Sequence, residues 1–412
     1  MKAVSFEMSL PRLAAARIAG LFGPSGYLAS FGPVRLLDLP DPRPLRDDWV
    51  VVRPRVTGIC GSDVKEIFLD ASIDNPLRAL ISFPHVLGHE VAATVVEAGP
   101  AVRRVAVGDR VTVSPWLPCE VRGLPLCRYC RQGDFSLCDS FTSGDIAPGM
   151  HAGNCRDVPG AYAELMIAHE SMCFPIPDRV SDEQAALADP FSVALHAIRK
   201  APPEPGETAL VYGCGPLGMM TIHALAKLYP GVRILAVDLH EYLRPFALAM
   251  GAHEYFTGQG AHLIEQVAKA ASATIRKVPL VLPWVTGGVE RVYDTVGIAP
   301  TLETAVRLVK PLGTVVLVGV GTPRRYEWTP IFFREVSVIG SNAYGAETFE
   351  GQREHGFAYY LKLCAAGRVD PTPMITHRFP LSQYRAAFVA AHAKVSRRAV
   401  KVIFEFSRAT SA

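Results

Sequence analysis

No stretch of this sequence stays apolar for the ~18 uninterrupted residues that a membrane-crossing helix needs, so no membrane-embedded helix is expected. Charge of one sign is also missing. The 42 Lys and Arg residues nearly balance 39 Asp and Glu, the formal net charge is +3, and neither sign forms a long run. Nothing therefore points to nucleic acid or an anionic membrane as partner. No export signal is expected either. Met1-Lys2-Ala3-Val4 runs straight into Ser5 and Glu7, and the most apolar early stretch, 13–28, is broken by Arg17, Pro24 and Ser25. The expectation is a soluble, cytoplasmic protein. Disorder is excluded by the balance of 49% apolar to 20% charged residues, and 412 residues allow two or three domains.

Cysteine, by contrast, is plentiful and clustered. Nine occur, at 60, 119, 127, 130, 138, 155, 173, 214 and 364. The number is odd and four fall between 119 and 138, which reads as metal ligation rather than a disulfide framework.

The chain changes character near its midpoint. Residues 1–195 are rich in short β-branched runs cut by Gly and Pro, such as Trp49–Val56, Val91–Val96 and Asp109–Val113, which predicts an irregular all-β domain. Residues 196–345 alternate strand and helix, the pattern of a parallel α/β domain. Its strands are predicted at Ala209–Tyr212, Arg233–Val237, Arg291–Asp294 and Thr314–Val318. Residues 346–412 are expected to return to the first domain, with a helical stretch over 349–366, then 375–379, 381–391 and the apolar 400–406. Residues 11–33 and 258–285 read as insertions.

Gly213-Cys214-Gly215-Pro216-Leu217-Gly218 matches G-x-G-x-x-G and stands where that pattern carries meaning, after an apolar strand and at the start of a helix. The glycines permit a tight turn, close approach to a pyrophosphate and close packing of helix on strand, while the helix N-terminus offers unpaired N–H groups. Asp238 ends the next strand, 20 residues after Gly218. A carboxylate there binds ribose hydroxyls and repels a 2′-phosphate, so NAD is expected rather than NADP. The bland alternative is an ordinary glycine turn with a solvated Asp. Val318, at the end of the Thr314–Val318 run, is counted with the cofactor residues.

Two groups of residues have metal-ligand chemistry. Cys60 lies two residues before Ser62, Gly88-His89-Glu90 follows, and Asp189-Pro190 precedes the α/β domain. Catalytic zinc takes about three N, S or O ligands and keeps one position open. Cys60, His89 and Asp189 are expected to supply them, with Glu90 as an extra or exchanging ligand. Taken singly, Cys60 reads rather as a small buried hydrophobe and His89 as a hydrogen-bonded core histidine. Cys119, Cys127, Cys130 and Cys138 contain one C-x-x-C pair and fit a closed tetrahedral zinc site; the same sulfurs could hold iron, or stay free.

With these residues together, the chain resembles the zinc-dependent medium-chain alcohol and polyol dehydrogenases, near sorbitol and threonine dehydrogenase. The likeness runs from Met1-Lys2-Ala3-Val4 to Val400-Lys401-Val402. It rests on Gly58–Asp63, Gly88-His89-Glu90, Gly108–Val111, Cys127–Cys138, Asp189-Pro190, Gly213–Gly218, Tyr293–Gly297 and Ile375–Phe379. The resemblance implies a GroES-like β domain carrying both zincs, a Rossmann domain, and an active site in the cleft between them. It implies that Cys60 and His89 bind the catalytic zinc and that Asp189 stands where the polyol branch has Glu. Glu90 would ligate or exchange, Ser62 would accept the alcohol proton, and Asp63 would orient His89.

Three positions depart from that family. Seven residues separate Cys119 from Cys127 where two are usual, so Cys119 joins the site only if 120–126 loops out. The proton-relay histidine is Lys65, leaving Lys65 or water to take its place. The Arg expected five residues after the ribose-binding acid is Leu243, with Arg244 beside it. A zinc-free enone or quinone reductase of the same fold is a second reading, opposed by Cys60, His89 and the cysteine lobe. A non-enzymatic, lens-type structural role is a third. The substrate is expected to be a small alcohol or carbonyl compound, with secondary alcohols or polyols favoured. The loop 145–160 is expected to border the cleft. A homodimer or homotetramer is expected from the resemblance, with 314–318 and 336–340 as interface segments.

Overall fold

The computed structural model describes residues 1–406 except Ala71, Ile73 and Pro323. Residues 407–412, counted above with the C-terminal return, lie outside the described residues. The chain divides into two compact units, residues 1–189 with the chain from 344 onward, and residues 190–343.

The first unit is organised by one long strand, Trp49–Gly58, whose apolar residues supply much of the main core with Val91, Val111, Val113, Met166 and Ile167. It pairs antiparallel with Glu90–Ala98, Met166–His169 and Lys401–Glu405. The registers matter for function. Gly58 stands opposite Glu90 on one side and opposite Ile403 on the other. Segments near 58, 90 and 401 are thereby brought to one strand end. A second core of Phe6, Ile59, Tyr162, Phe388 and Phe404 seats the C-terminal helix Tyr384–His392 against the N-terminal strand Lys2–Phe6. The insertion at 11–33 forms a helix, Leu10–Gly20, and a 3-10 turn, Pro24–Leu28, held by Ala16 and Leu28.

The second unit is a six-stranded, wholly parallel sheet. Its strands are Thr208–Tyr212, Arg233–Asp238, Glu254–Thr257, Val289–Asp294, Val309–Leu317 and Ser337–Gly340. Their spatial order is third, second, first, fourth, fifth, sixth. This is the doubly wound order, and it reverses between the first and fourth strands, where such folds bind ligands. The first strand is buried on both faces, which explains its continuous apolar run. The insertion at 258–285 supplies a helix, Gly260–Ala270, and a small hairpin, Thr274–Arg276 with Trp284–Thr286.

One expectation is corrected. Residues 349–366 are not one helical stretch. Ala346–Phe349 and Gln352–His355 form a hairpin, and only Gly356–Ala365 is helical. The reason is the two-residue turn: Glu350 and Gly351 have φ of 48° and 82°, the paired positive angles of a type I′ hairpin turn. The segment 314–318 lies in an interior strand, Val309–Leu317 being paired on both sides; the edges of the sheet are Glu254–Thr257 and Ser337–Gly340.

Candidate active site

Cys60 follows the strand Trp49–Gly58 and precedes the helix Gly61–Ile67. Asp63, at the third position of that helix, reaches back to accept the Cys60 N–H at 3.1 Å, half of a capping box. The same buried carboxylate accepts the Tyr162 hydroxyl at 2.5 Å and lies 3.3 Å from His89 Nδ1. It thus turns His89 so that Nε2 is left for a metal, the usual carboxylate–histidine arrangement. Burial alone would raise the Asp63 carboxyl, but His89 and the Tyr162 and Cys60 donors hold it below its ordinary value.

Ligand atoms of Cys60, His89 and Glu90 all lie within 4.8 Å of one another. One thiolate, one imidazole and one carboxylate form the open three-donor set that catalytic zinc takes. The electrostatics agree. Burial would push His89 down, yet Asp63 and Cys60 drive it well above its ordinary value, so the protein favours positive charge at this point. Glu90 belongs to this group of ligand atoms, whereas Asp189, also expected as a ligand, lies outside it. Asp189, in the first turn of the helix Ala188–Lys200, instead accepts the Tyr344 hydroxyl at 2.6 Å. Burial, reinforced by Glu90, raises its carboxyl to about 6.

Glu90 is buried and paired with the ammonium of Lys401, which also donates to the Ile59 carbonyl at 3.1 Å. Gly58 has to be glycine for this, since a Cβ there would collide with the Glu90 carboxylate. Removing one partner of a buried pair strands the other charge. Lys401→Met is expected to cost about 3–5 kcal/mol, seen as a lower urea midpoint, and Glu90→Gln in the same chain should recover part of it. A Lys401→Met protein as stable as the wild type would show that the pair does not matter to the fold.

Ser62 is exposed on the first turn of the helix Gly61–Ile67, and Lys65 is half-buried one turn later. The loop at 145–160 brings His151 to the site, with ring centroids 4.8 Å from His89 and 5.9 Å from Trp116. Burial and the neighbouring His89 lower His151 to about 3.

The four cysteines of the lobe lie with their sulfurs within 4.8 Å of one another. Cys119 Sγ is 3.5 Å from Cys138 Sγ, close to the ~3.8 Å implied by tetrahedral Zn–S bonds of about 2.3 Å. Backbone N–H groups of Cys127, Cys130 and Ser140 point at the sulfurs of Cys119, Cys127 and Cys138. The Cys130 thiol donates to Cys138, lowering Cys138 to about 5 and raising itself. The long spacer after Cys119 is organised by Arg122. This fully buried side chain donates to the carbonyls of Leu117, Ser143, Ile146, Ala147 and Gly149. The extra residues fold back around it and return the chain to Cys127.

In the second unit Gly213 has φ of 92° and turns the chain from strand to helix, while a Cβ at Gly218 would strike the Gly213 carbonyl. A Cβ at Gly215 would meet nothing within 4 Å, so the space before the helix Pro216–Leu228 is open to a ligand. Leu217 lies in that helix's first turn. Asp238 Oδ2 accepts the Cys214 N–H at 2.7 Å, setting its carboxylate beside the glycine turn. Val318 N–H bonds the Asp294 carbonyl, and Thr295 N–H the Tyr212 carbonyl, tying together the ends of the first, fourth and fifth strands. Arg244 is committed elsewhere, to Glu241 and the Tyr255 carbonyl.

Sequence reasoning did not single out Lys401, Tyr162, Tyr344, Trp116, His151 or Arg122. Lys401 was signalled by a charge within the apolar run 400–404, and His151 lay in a loop already marked; the others left no local trace.

Two families match. The alcohol dehydrogenase GroES-like domain covers residues 46–178 and the zinc-binding dehydrogenase family residues 216–355. A sorbitol dehydrogenase of Arabidopsis thaliana is 31% identical, over 86% of this chain and 88% of its own. An L-idonate 5-dehydrogenase of Vitis vinifera is 30% identical, over 86% and 87%. The crystal structure of 2R,3R-butanediol dehydrogenase from Bacillus subtilis superposes with a TM-score of 0.73 at 23% identity, over 98% of this chain and 99% of the other, a likeness of fold. The chain belongs to the zinc-dependent medium-chain alcohol and polyol dehydrogenases. It is an oxidoreductase that exchanges a hydride between a small-molecule alcohol and NAD, with zinc as its metal.

Proposed function

We propose that this enzyme oxidises a secondary alcohol or polyol, with Cys60, His89 and Glu90 holding the catalytic zinc and Cys119, Cys127, Cys130 and Cys138 a structural one. The observation that carries this reading is the convergence of thiolate, imidazole and carboxylate within 4.8 Å, beside the separate four-sulfur group. The relatives named for sorbitol and L-idonate support a polyol substrate. Bound zinc would supply Lewis acidity to the alcohol oxygen, and NAD would accept the hydride.

The chain's own residues prepare that step. Asp63 fixes the His89 ring. Lys401 compensates Glu90. Ser62 takes the hydroxyl proton, and Lys65 stands where it can pass the proton to solvent. Asp189, held by Tyr344, faces the same group without joining it. Gly213, Gly215, Pro216, Leu217 and Gly218 receive the pyrophosphate, and Asp238 the ribose hydroxyls. Val318 borders the same crevice, and Arg244 braces the segment after Asp238 rather than touching the cofactor.

Metal content per chain, measured with NADH formation on primary, secondary and polyhydroxy alcohols, tests the whole reading. Two zincs and preference for polyols are expected. Activity on enones without zinc would refute it. Asp238→Ser keeps an acceptor for the Cys214 N–H but removes the charge. The ratio of kcat/KM for NAD over NADP should fall roughly 10–100-fold, the effect of about 1.4–2.8 kcal/mol of repulsion. An unchanged ratio would take cofactor discrimination away from Asp238.

Assembly and location belong to this proposal too. The unpaired sheet edge Ser337–Gly340, flanked by exposed Trp328, Phe332 and Phe333, supports a homodimer, and a tetramer as a pair of dimers. Nine free cysteines fit the reducing cytoplasm. No helix among the described residues is long and apolar enough to cross a membrane.

A further inference from the structure

His151 belongs to neither metal group and to no motif, yet its ring lies 4.8 Å from that of His89. Its placement is fixed from several sides. The backbone bridges to Trp116, and the N–H groups of Met150 and His151 both bond Asn154 Oδ1, at 3.0 and 3.1 Å. On the ring, Nδ1 lies 2.7 Å from the Ala152 carbonyl. A carbonyl only accepts, so Nδ1 carries the proton and Nε2 of the neutral ring is a lone pair. The residue as a whole is half-buried.

The neighbours on this side have spent their donors. Trp116 hydrogen-bonds the Tyr344 hydroxyl, and that hydroxyl donates to Asp189. Beside the Cys60, His89 and Glu90 group these bonds leave the His151 nitrogen and the Asp189 carboxylate as acceptors. A wall that offers acceptors and has used its donors suits a ligand that brings donors of its own. Hydroxyl groups do so, and alkyl groups do not.

We propose that His151 is a specificity-determining residue, its Nε2 accepting a hydrogen bond from a second substrate hydroxyl on the carbon next to the one oxidised. This rests on the polyol reading above and names the residue that enforces it. An alkyl substituent there would leave the nitrogen without its partner, and a site built to bond a hydroxyl rejects the analogue lacking it.

The test compares propane-1,2-diol with propan-2-ol, each oxidised with NAD, in the wild type, His151→Phe and His151→Asn. Asn keeps a donor toward the Ala152 carbonyl while removing Nε2, so it preserves the local fold if Phe does not. The wild type should favour the diol in kcat/KM. Both variants should lose roughly 10–100-fold of that preference, with propan-2-ol turnover within about threefold of wild type. Zinc per chain should be unchanged, and saturation-transfer NMR should show weaker diol binding to the cofactor-free variants. A diol preference that survives in the zinc-replete Asn variant overturns the proposal alone. A wild type that prefers propan-2-ol overturns the polyol reading and this proposal with it.

Discussion

His89→Ala or Cys60→Ser is expected to lower kcat for alcohol oxidation by roughly 10³-fold or more, while the dissociation constant for NAD stays within about threefold. The two effects separate because the residues sit in different units. The thiolate, imidazole and carboxylate belong to residues 1–189, and the glycine turn with Asp238 belongs to residues 190–343. Zinc should fall from two per chain to one, because the four-sulfur group is untouched. Asp63→Asn should act in the same direction and more weakly. It keeps the fold-back onto the Cys60 N–H but withdraws the charge that orients His89. Metal analysis with steady-state kinetics decides the matter. A one-zinc His89→Ala protein turning over at the wild-type rate would end the assignment.

Cys130→Ser should act on stability rather than chemistry. Cys130 is buried among Cys119, Cys138 and Phe141, and a structural zinc couples directly to folding. A loss of at least ~3 kcal/mol is expected, seen as an earlier urea midpoint and as equal sensitivity of the wild type to a strong chelator. The fraction that remains folded should keep its kcat. The competing scaffold is Arg122, whose bonds to five carbonyls already gather the lobe without metal. If Cys130→Ser melts with the wild type, Arg122 holds the lobe and the sulfurs are dispensable to it.

What could be read from the sequence was what is local in the chain. The glycine turn, its strand and helix, Asp238 and the cysteine lobe each act within a short span, so spacing carries their chemistry. The first, second, fourth and fifth strands of the parallel sheet were legible in the same way, from short buried runs such as Ala209–Tyr212 and Ile234–Val237. Which carboxylate gathers with Cys60 and His89 was not local. It depends on the register that sets Gly58 against Glu90, and on Tyr344, 155 residues beyond Asp189, which draws that carboxylate to itself. The misread 349–366 failed differently. Glu350, a good helix former, adopts a positive φ next to Gly351, and the turn overrides propensity.

The strand Trp49–Gly58 has a consequence for the order of events during synthesis. Cys60, His89 and Glu90 leave the ribosome well before Lys401, the counter-ion of Glu90, which lies 311 residues beyond Glu90. Until it emerges, Glu90 has no reason to be buried, and the strand lacks the neighbour that closes it at Gly58. A nascent chain that already carries all three donors should therefore hold zinc weakly and stay inert. Maturation of this group then waits on the docking of the strand Lys401–Glu405 beside Gly58.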